Sequence, residues 1–465
     1  MKKTITSTLL ILLGFALITA SIFSAYITSF FKTTNNFEFE NGVALLNKAS
    51  EIDVSKDSTA PASLELAKYN CGWFNYYAIE YSSDCYLKVT INYFAGVKAK
   101  SEDFFLEPAK KATFYSFVDD ALAGKKGSKF ASITIEALTE ATESIKIYSF
   151  AVFNREIPKQ EIFIENDAHK IGIDLLWGGA LSYLEDLDSN VQVVSVDGKI
   201  KVDSNASERY NAESVNNNVN LINRNDTGRL VQQSYYGTID YDFGMYMEND
   251  WRYNPVQGGN QFNDASKIVD LRVTETEIYI KCRPLDWAKE KEYITPSYME
   301  ATYSLENGAV HAKCRFVDFS GYPEAECSQE IPAFYCIEPL NNFVYYGGDK
   351  AWSGGKLTSE PDLIFWPDAG YPKFYSKENW AAFTGEFEDS FGIGVYVDNE
   401  EEFLAGVYER ENTTSIDPSV DSPTSYIAIT KTRTFKSFEP YEYEYYLATG
   451  DTTEIRNTFE KIDNK

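Results

Sequence analysis

Three carboxylates sit where acid/base chemistry would use them. Glu330 in SQEIPAFY precedes Ile331 and Pro332, Glu300 in SYMEATY interrupts an aromatic strand, and Asp286 in PLDW lies beside Trp287. Two carboxyl groups about 5–10 Å apart can hydrolyse a glycosidic bond, their spacing deciding retention or inversion. A desolvating neighbour such as Trp287 or Tyr335 would raise one pKa and create the acid. Around these candidates runs a set suited to holding a sugar: Arg229, Gln233, Tyr235, Trp251, Asn254, Gln257 and Trp287. Aromatic faces stack on C–H patches, while amide and guanidinium groups pair with neighbouring hydroxyls. The competing explanation for the polar members is a buried hydrogen-bond network that only braces a sheet. On a strand, Leu230, Gln232 and Ser234 point one way and Val231, Gln233 and Tyr235 the other, so one glutamine is aimed inward.

Other chemistries find little to work with. The chain has two histidines, His169 and His311, and no G-x-S-x-G, Walker, Rossmann or H-E-x-x-H pattern. No C-x-x-C pair is present, which argues against zinc, and no metal site is expected. No cofactor is expected either; an Asp-rich calcium loop is absent, although scattered acidic loops leave Ca²⁺ open. A formal net charge of -27 argues against nucleic acid, whose phosphates demand Lys and Arg, and against adhesion to anionic lipid. The partner expected instead is an uncharged extracellular glycan.

These residues must be positioned by strands. Of 465 residues 15% are aromatic, with 33 Tyr, 31 Phe and only four Met, the palette of sheets. Length predicts more than one domain. Residues 1–32 read as a signal peptide or signal-anchor, because two Lys precede a long uncharged, mostly apolar stretch ending at Lys32. Cleaved or retained, it would export residues 35 onward to the cell surface or beyond, with membrane contact only through this segment. Residues 33–62 read as a polar connector, 63–167 as a small β-sandwich with one helical turn in FVDDALAG, and 168–465 as a large antiparallel two-sheet domain with NG, DG and GG turns. The expected class is all-β. In an exported chain, Cys71 with Cys85, and at least part of the set Cys282, Cys314, Cys327 and Cys336, are expected to pair as disulfides, and Asn205, Asn225 and Asn412 stand in glycosylation sequons.

The runs GIDLLWGGALSYL, NLINRNDTGRLVQQSYYG and WRYNPVQGG resemble the opening strands of the galactose-mutarotase-like supersandwich, in which a GG hairpin leads into an N-x-x-D-x-GR strand. Later pieces, including YMEATYSLENGAVHAKCRFVDF, QEIPAFY and YYLATGDTTEIR, resemble exported members of that superfamily, and the resemblance covers roughly residues 168–460. It implies a supersandwich fold and a carbohydrate ligand. It does not imply one reaction, because the superfamily includes epimerases, hydrolases, lyases and domains that only bind. Mutarotases use a histidine pair with a carboxylate; His169 precedes the first supersandwich strand and His311 lies in GAVHAKCRF, so epimerase chemistry is not expected. The expectation is an exported glycoside hydrolase-like enzyme, with a non-catalytic surface glycan-binding or cell-envelope protein as the alternative.

Overall fold

Period-two alternation is the local rule that builds this chain. In Leu87–Ala95 every second side chain is buried, and Glu277–Arg283 and Tyr441–Gly450 repeat the pattern. The computed structural model describes residues 74–465 except 120, 128, 144, 292, 362, 365–371 and 409–411, together with the strands Phe37–Glu40, Val43–Leu46, Ser50–Ile52 and Ala62–Leu64. The expected signal segment and Cys71 lie outside the described residues. Among those described, no helix is long and apolar enough to cross a membrane.

The chain divides into two compact units, Met1–Ile157 and Pro158–Lys465. The smaller is a sandwich of two four-stranded antiparallel sheets. Tyr77 of one sheet meets Phe104 of the other at 5.3 Å between ring centroids, and the FVDDALAG turn is a single 3-10 turn, Ala121–Ala123. One strand from the expected polar connector belongs here, Ser50–Ile52, which pairs with Ile145–Phe153; Ala62–Leu64, at the connector's end, pairs with Lys129–Ala137. Glu161–Glu165, assigned from sequence to the small sandwich, pairs instead with His169–Asp174 of the larger unit.

The larger unit is built on a ten-stranded and a nine-stranded antiparallel sheet. In the first, Ala325–Ile337 lies between Val231–Tyr236 and Thr424–Phe435; in the second, Ser297–Glu306 and Ala309–Asp318 form a long hairpin. Its turn, Asn307-Gly308, has φ of 59° and 75°, the left-handed pair that an NG signal supplies at least cost. Between the sheets, Tyr235 stacks on Phe316 at 4.4 Å and meets Phe435 and Tyr441 edge-on. The helix Thr452–Asp463 covers the nine-stranded sheet, burying Ile455, Phe459 and Ile462 against Trp380, Tyr396 and Ala448. A capping box between Asp451 and Glu454 starts it.

The disulfide expectation is corrected: Cys85, Cys282, Cys314, Cys327 and Cys336 are all free and buried. Cys282 and Cys314 face Met299 and Ala301 of the strand that separates them, and two strand spacings, about 10 Å, exceed the reach of a disulfide. Cys327 and Cys336 lie on the other sheet, near opposite ends of one strand.

Candidate functional site

A break in strand register places the buried carboxyl of Glu330. Pro332 has no N–H to donate, and Ala325–Ile337 slips out of register with Thr424–Phe435 between Glu330 and Ala333; its other neighbour slips between Gln232 and Ser234. The bulge puts Glu330, Ala333 and Tyr335 on one face despite the odd interval from 330 to 333. That face is the outer one of the ten-stranded sheet, since Val231, Gln233 and Tyr235 of the adjacent strand point to the interior. Glu330 is 3% exposed, and its carboxyl accepts hydrogen bonds from the Tyr426 hydroxyl, from the Tyr236 hydroxyl at 3.2 Å and from Ser234. Burial raises its pKa, and the three hydroxyls lower it by less than burial adds.

Over this face lies a cleft of about 370 Å³. Glu330 and Ser234 lie in its floor; Trp287, Tyr236, Tyr335, Tyr408 and Tyr426 supply rings; Arg229, Gln232 and Asn254 supply polar groups; and Ile239, Tyr241, Met245, Met247 and Val256 complete the wall. Arg229 is held by Asp226 at 2.6 Å and by the Ser422 carbonyl at 3.0 Å, with its guanidinium over the Tyr408 ring. Gln232 ties two loops together, donating to the Thr227 and Arg229 carbonyls and accepting from the Gly258 N–H. Asn254 is 3% exposed, and its side-chain carbonyl has no partner. Asp286 accepts the backbone N–H groups of Asn254 and Ala288, and burial raises its pKa. It thereby fixes the turn carrying Trp287, whose ring lies across Gly228 so closely that a Cβ there would come within 2.5 Å of it.

The remaining residues named from sequence lie elsewhere. Trp251 is fully buried, packed on Tyr253 and Phe435. Gln233, Tyr235 and Gln257 are interior: Gln233 donates to the Glu300 carbonyl at 2.9 Å, Tyr235 donates to Gln233, and Gln257 reaches the Tyr303 hydroxyl. Glu300 is on the nine-stranded sheet, its side chain directed away from the interior to Lys281 at 3.2 Å, Arg315 at 3.1 Å and the Tyr279 hydroxyl at 2.7 Å. Burial would raise its pKa, but these partners outweigh burial and bring it down to about 2. Glu330 and Glu300 therefore do not face each other across a ligand space, and that carboxylate pair is not assembled. Glu330 is the single carboxylate among the described residues lining the cleft.

Neither histidine lines the cleft. His169 is buried against Thr449, with its pKa lowered by burial, and His311 sits between Glu306 and Glu444, stacked on Tyr446. Among the described residues no group of three or more His, Cys, Asp or Glu is placed to hold a metal ion. Sequence reasoning missed Tyr408, Tyr426, Met245 and Met247. Alternation had already grouped Gln232 with Ser234, and Tyr236 continues that set; Tyr408 and Tyr426 come from strands far along the chain and carry no local signal.

No protein-family model matches the chain, and no curated protein matches it. Among solved structures, the chain is similar to the galactose mutarotase related enzyme of Lactobacillus acidophilus, with 10% identity, 63% of this chain and 99% of that chain covered, and a TM-score of 0.38. It is similar also to the alpha-galactosidase of Lactobacillus brevis, with 10% identity, 63% of this chain and 39% of that one covered, and a TM-score of 0.32. For 4-alpha-glucanotransferase of Thermococcus litoralis the values are 10% identity, 62% and 37% coverage, and a TM-score of 0.31. The structures found include the galactose-mutarotase-like kind that the sequence resembles.

Proposed function

We propose that the outer-face cleft binds an uncharged carbohydrate, with Glu330 as a protonated hydrogen-bonding group in its floor. The observation that carries this reading is the setting of Glu330, a buried carboxyl met by three hydroxyls, its pKa raised by burial, beneath walls of Trp and Tyr. A neutral carboxylic acid both donates and accepts, which suits a sugar hydroxyl. The cleft's cation, Arg229, already has Asp226, so a charged ligand finds no waiting counter-ion there. The unmet Asn254 carbonyl offers an acceptor. In this reading the glycan is extracellular and the protein reaches it by export.

A second reading is that Glu330 protonates a glycosidic oxygen as a general acid, as in glycoside hydrolysis; its raised pKa favours this. Hydrolysis then needs a base or nucleophile besides Glu330, the one carboxylate among the described residues lining the cleft. A glycan array and calorimetry on the full chain, repeated with Glu330→Gln, separate the two. Binding without turnover in either protein supports the first; turnover that the substitution lowers by orders of magnitude while binding persists supports the second. No binding to any glycan would remove both.

A further inference from the structure

The cleft changes character from floor to rim. Glu330 and Ser234 in the floor are buried, whereas Met245 and Met247 at the rim are 46% and 48% exposed. Both methionines belong to the hairpin of Ile239–Asp240 and Tyr246–Met247, where Phe243 and Tyr246 are exposed as well. The chain has four methionines, so half of its supply of flexible, unbranched apolar side chains is spent on this rim. The hairpin is tied in place: Lys289 reaches Asp240 and Asp242, both at 3.1 Å, and the Glu290 N–H donates to Asp242. An apolar patch held open beside a polar floor is expensive in water unless something covers it.

The geometry points to a ligand of two parts: a glycoside of the glycolipid kind, whose sugar meets Glu330 and Asn254 and whose hydrocarbon tail lies along Met245 and Met247. This rests on the carbohydrate reading of the same cleft and adds the class of aglycone. A hydrocarbon is favoured over a protein partner because the two methionines line the same cavity as Glu330, so whatever covers them is continuous with what fills the floor. Unbranched side chains also conform to an alkyl chain without fixing its length.

The test uses the full chain with methyl and n-octyl glycosides of glucose, galactose and mannose, the octyl compounds below their micelle concentration, and octanol as the control. For at least one sugar the octyl glycoside should bind tighter than its methyl counterpart by about tenfold or more, the gain from burying two or three methylenes. Met245→Ser combined with Met247→Ser should bring the octyl-to-methyl affinity ratio for that sugar close to one. If the double variant does not fold, the wild-type octyl-to-methyl ratio decides alone. Equal octyl and methyl affinities would overturn the aglycone proposal and leave the sugar cleft standing; equal affinities together with self-association that the double variant abolishes would assign the rim to a second copy of the chain. Octanol binding as tightly as the octyl glycosides, or no binding by any compound, would overturn the carbohydrate reading and this proposal together.

Discussion

Burial raises the pKa of Glu330 in the folded chain, and this has a definite sign in pH. Its folded pKa is raised, so the folded state holds the proton more tightly than the unfolded state does. The associated stability is present below the ordinary carboxylate pKa, about 4.3, and is lost as pH rises from there to the folded value. Thermal melts between pH 4 and 8 should show Glu330→Gln losing less stability with rising pH than the native chain. The difference should be about 1.4 kcal/mol per unit of pKa elevation. Identical pH profiles would show that the carboxyl ionises as easily folded as unfolded. Trp251 and Trp287 should also separate. Trp251→Ala empties a fully buried site and should cost about 3–5 kcal/mol of stability. Trp287→Ala, at the cleft wall, should weaken glycan binding by about 1–3 kcal/mol with a smaller change in melting temperature. Sequence reasoning had placed the binding loss at Trp251; a side chain with no exposed surface cannot stack on a ligand.

At the scale of elements, each large sheet carries one of the candidate glutamates, and the two have opposite electrostatics. On the ten-stranded sheet the bulge after Glu330 gathers hydroxyls around it. On the nine-stranded sheet, cross-strand pairing sets Glu300 opposite both Lys281 and Arg315. Those cations hold Glu300 ionised, with its pKa brought down to about 2. Its contribution is present above the ordinary carboxylate range and is lost as pH falls toward 2. Glu300→Gln should cost roughly 2–3 kcal/mol at neutral pH, because two partly buried cations each lose one carboxylate contact while Arg315 keeps Glu442, and should leave glycan affinity unchanged. Denaturant titrations measure the first and calorimetry the second; a binding loss as large as that of Trp287→Ala would place Glu300 at the ligand after all.

At the scale of the whole molecule, the larger unit has its own interior, an inter-sheet layer of Tyr235, Phe316 and Phe435 with a helix closing the nine-stranded sheet. A chain of residues 158–465 should therefore fold alone with a cooperative melt and keep whatever glycan affinity the full chain has. A molten fragment would show that its core is incomplete. The cysteines belong at this scale too, since their separation follows from strand order rather than local sequence. Denatured without reductant, the full chain should titrate at least five free thiols, and mass mapping should find no cross-link among Cys282, Cys314, Cys327 and Cys336.

The sequence by itself determined the class of structure and the membership of each strand face. Alternation marked the strands and the NG dipeptide placed the long hairpin's turn, whereas the helix Thr452–Asp463 with its Asp451–Glu454 capping box was not anticipated. Along Val231–Tyr236 it also separated Gln232 and Ser234 from Gln233 and Tyr235. What it left open was which set would be covered by the second sheet, because both contain a glutamine and each face is nearly as buried as the other. Only the tertiary structure decided that, through Phe316 and Tyr441 packing on Tyr235 and through Tyr426 arriving beside Glu330 from a strand almost a hundred residues later. The same long-range pairing separated Glu300 from Glu330 and turned Trp251 into core. Spacing along a strand fixes direction only modulo two, whereas the partners that make a carboxyl acidic, neutral or ion-paired come from strands whose order no local pattern encodes.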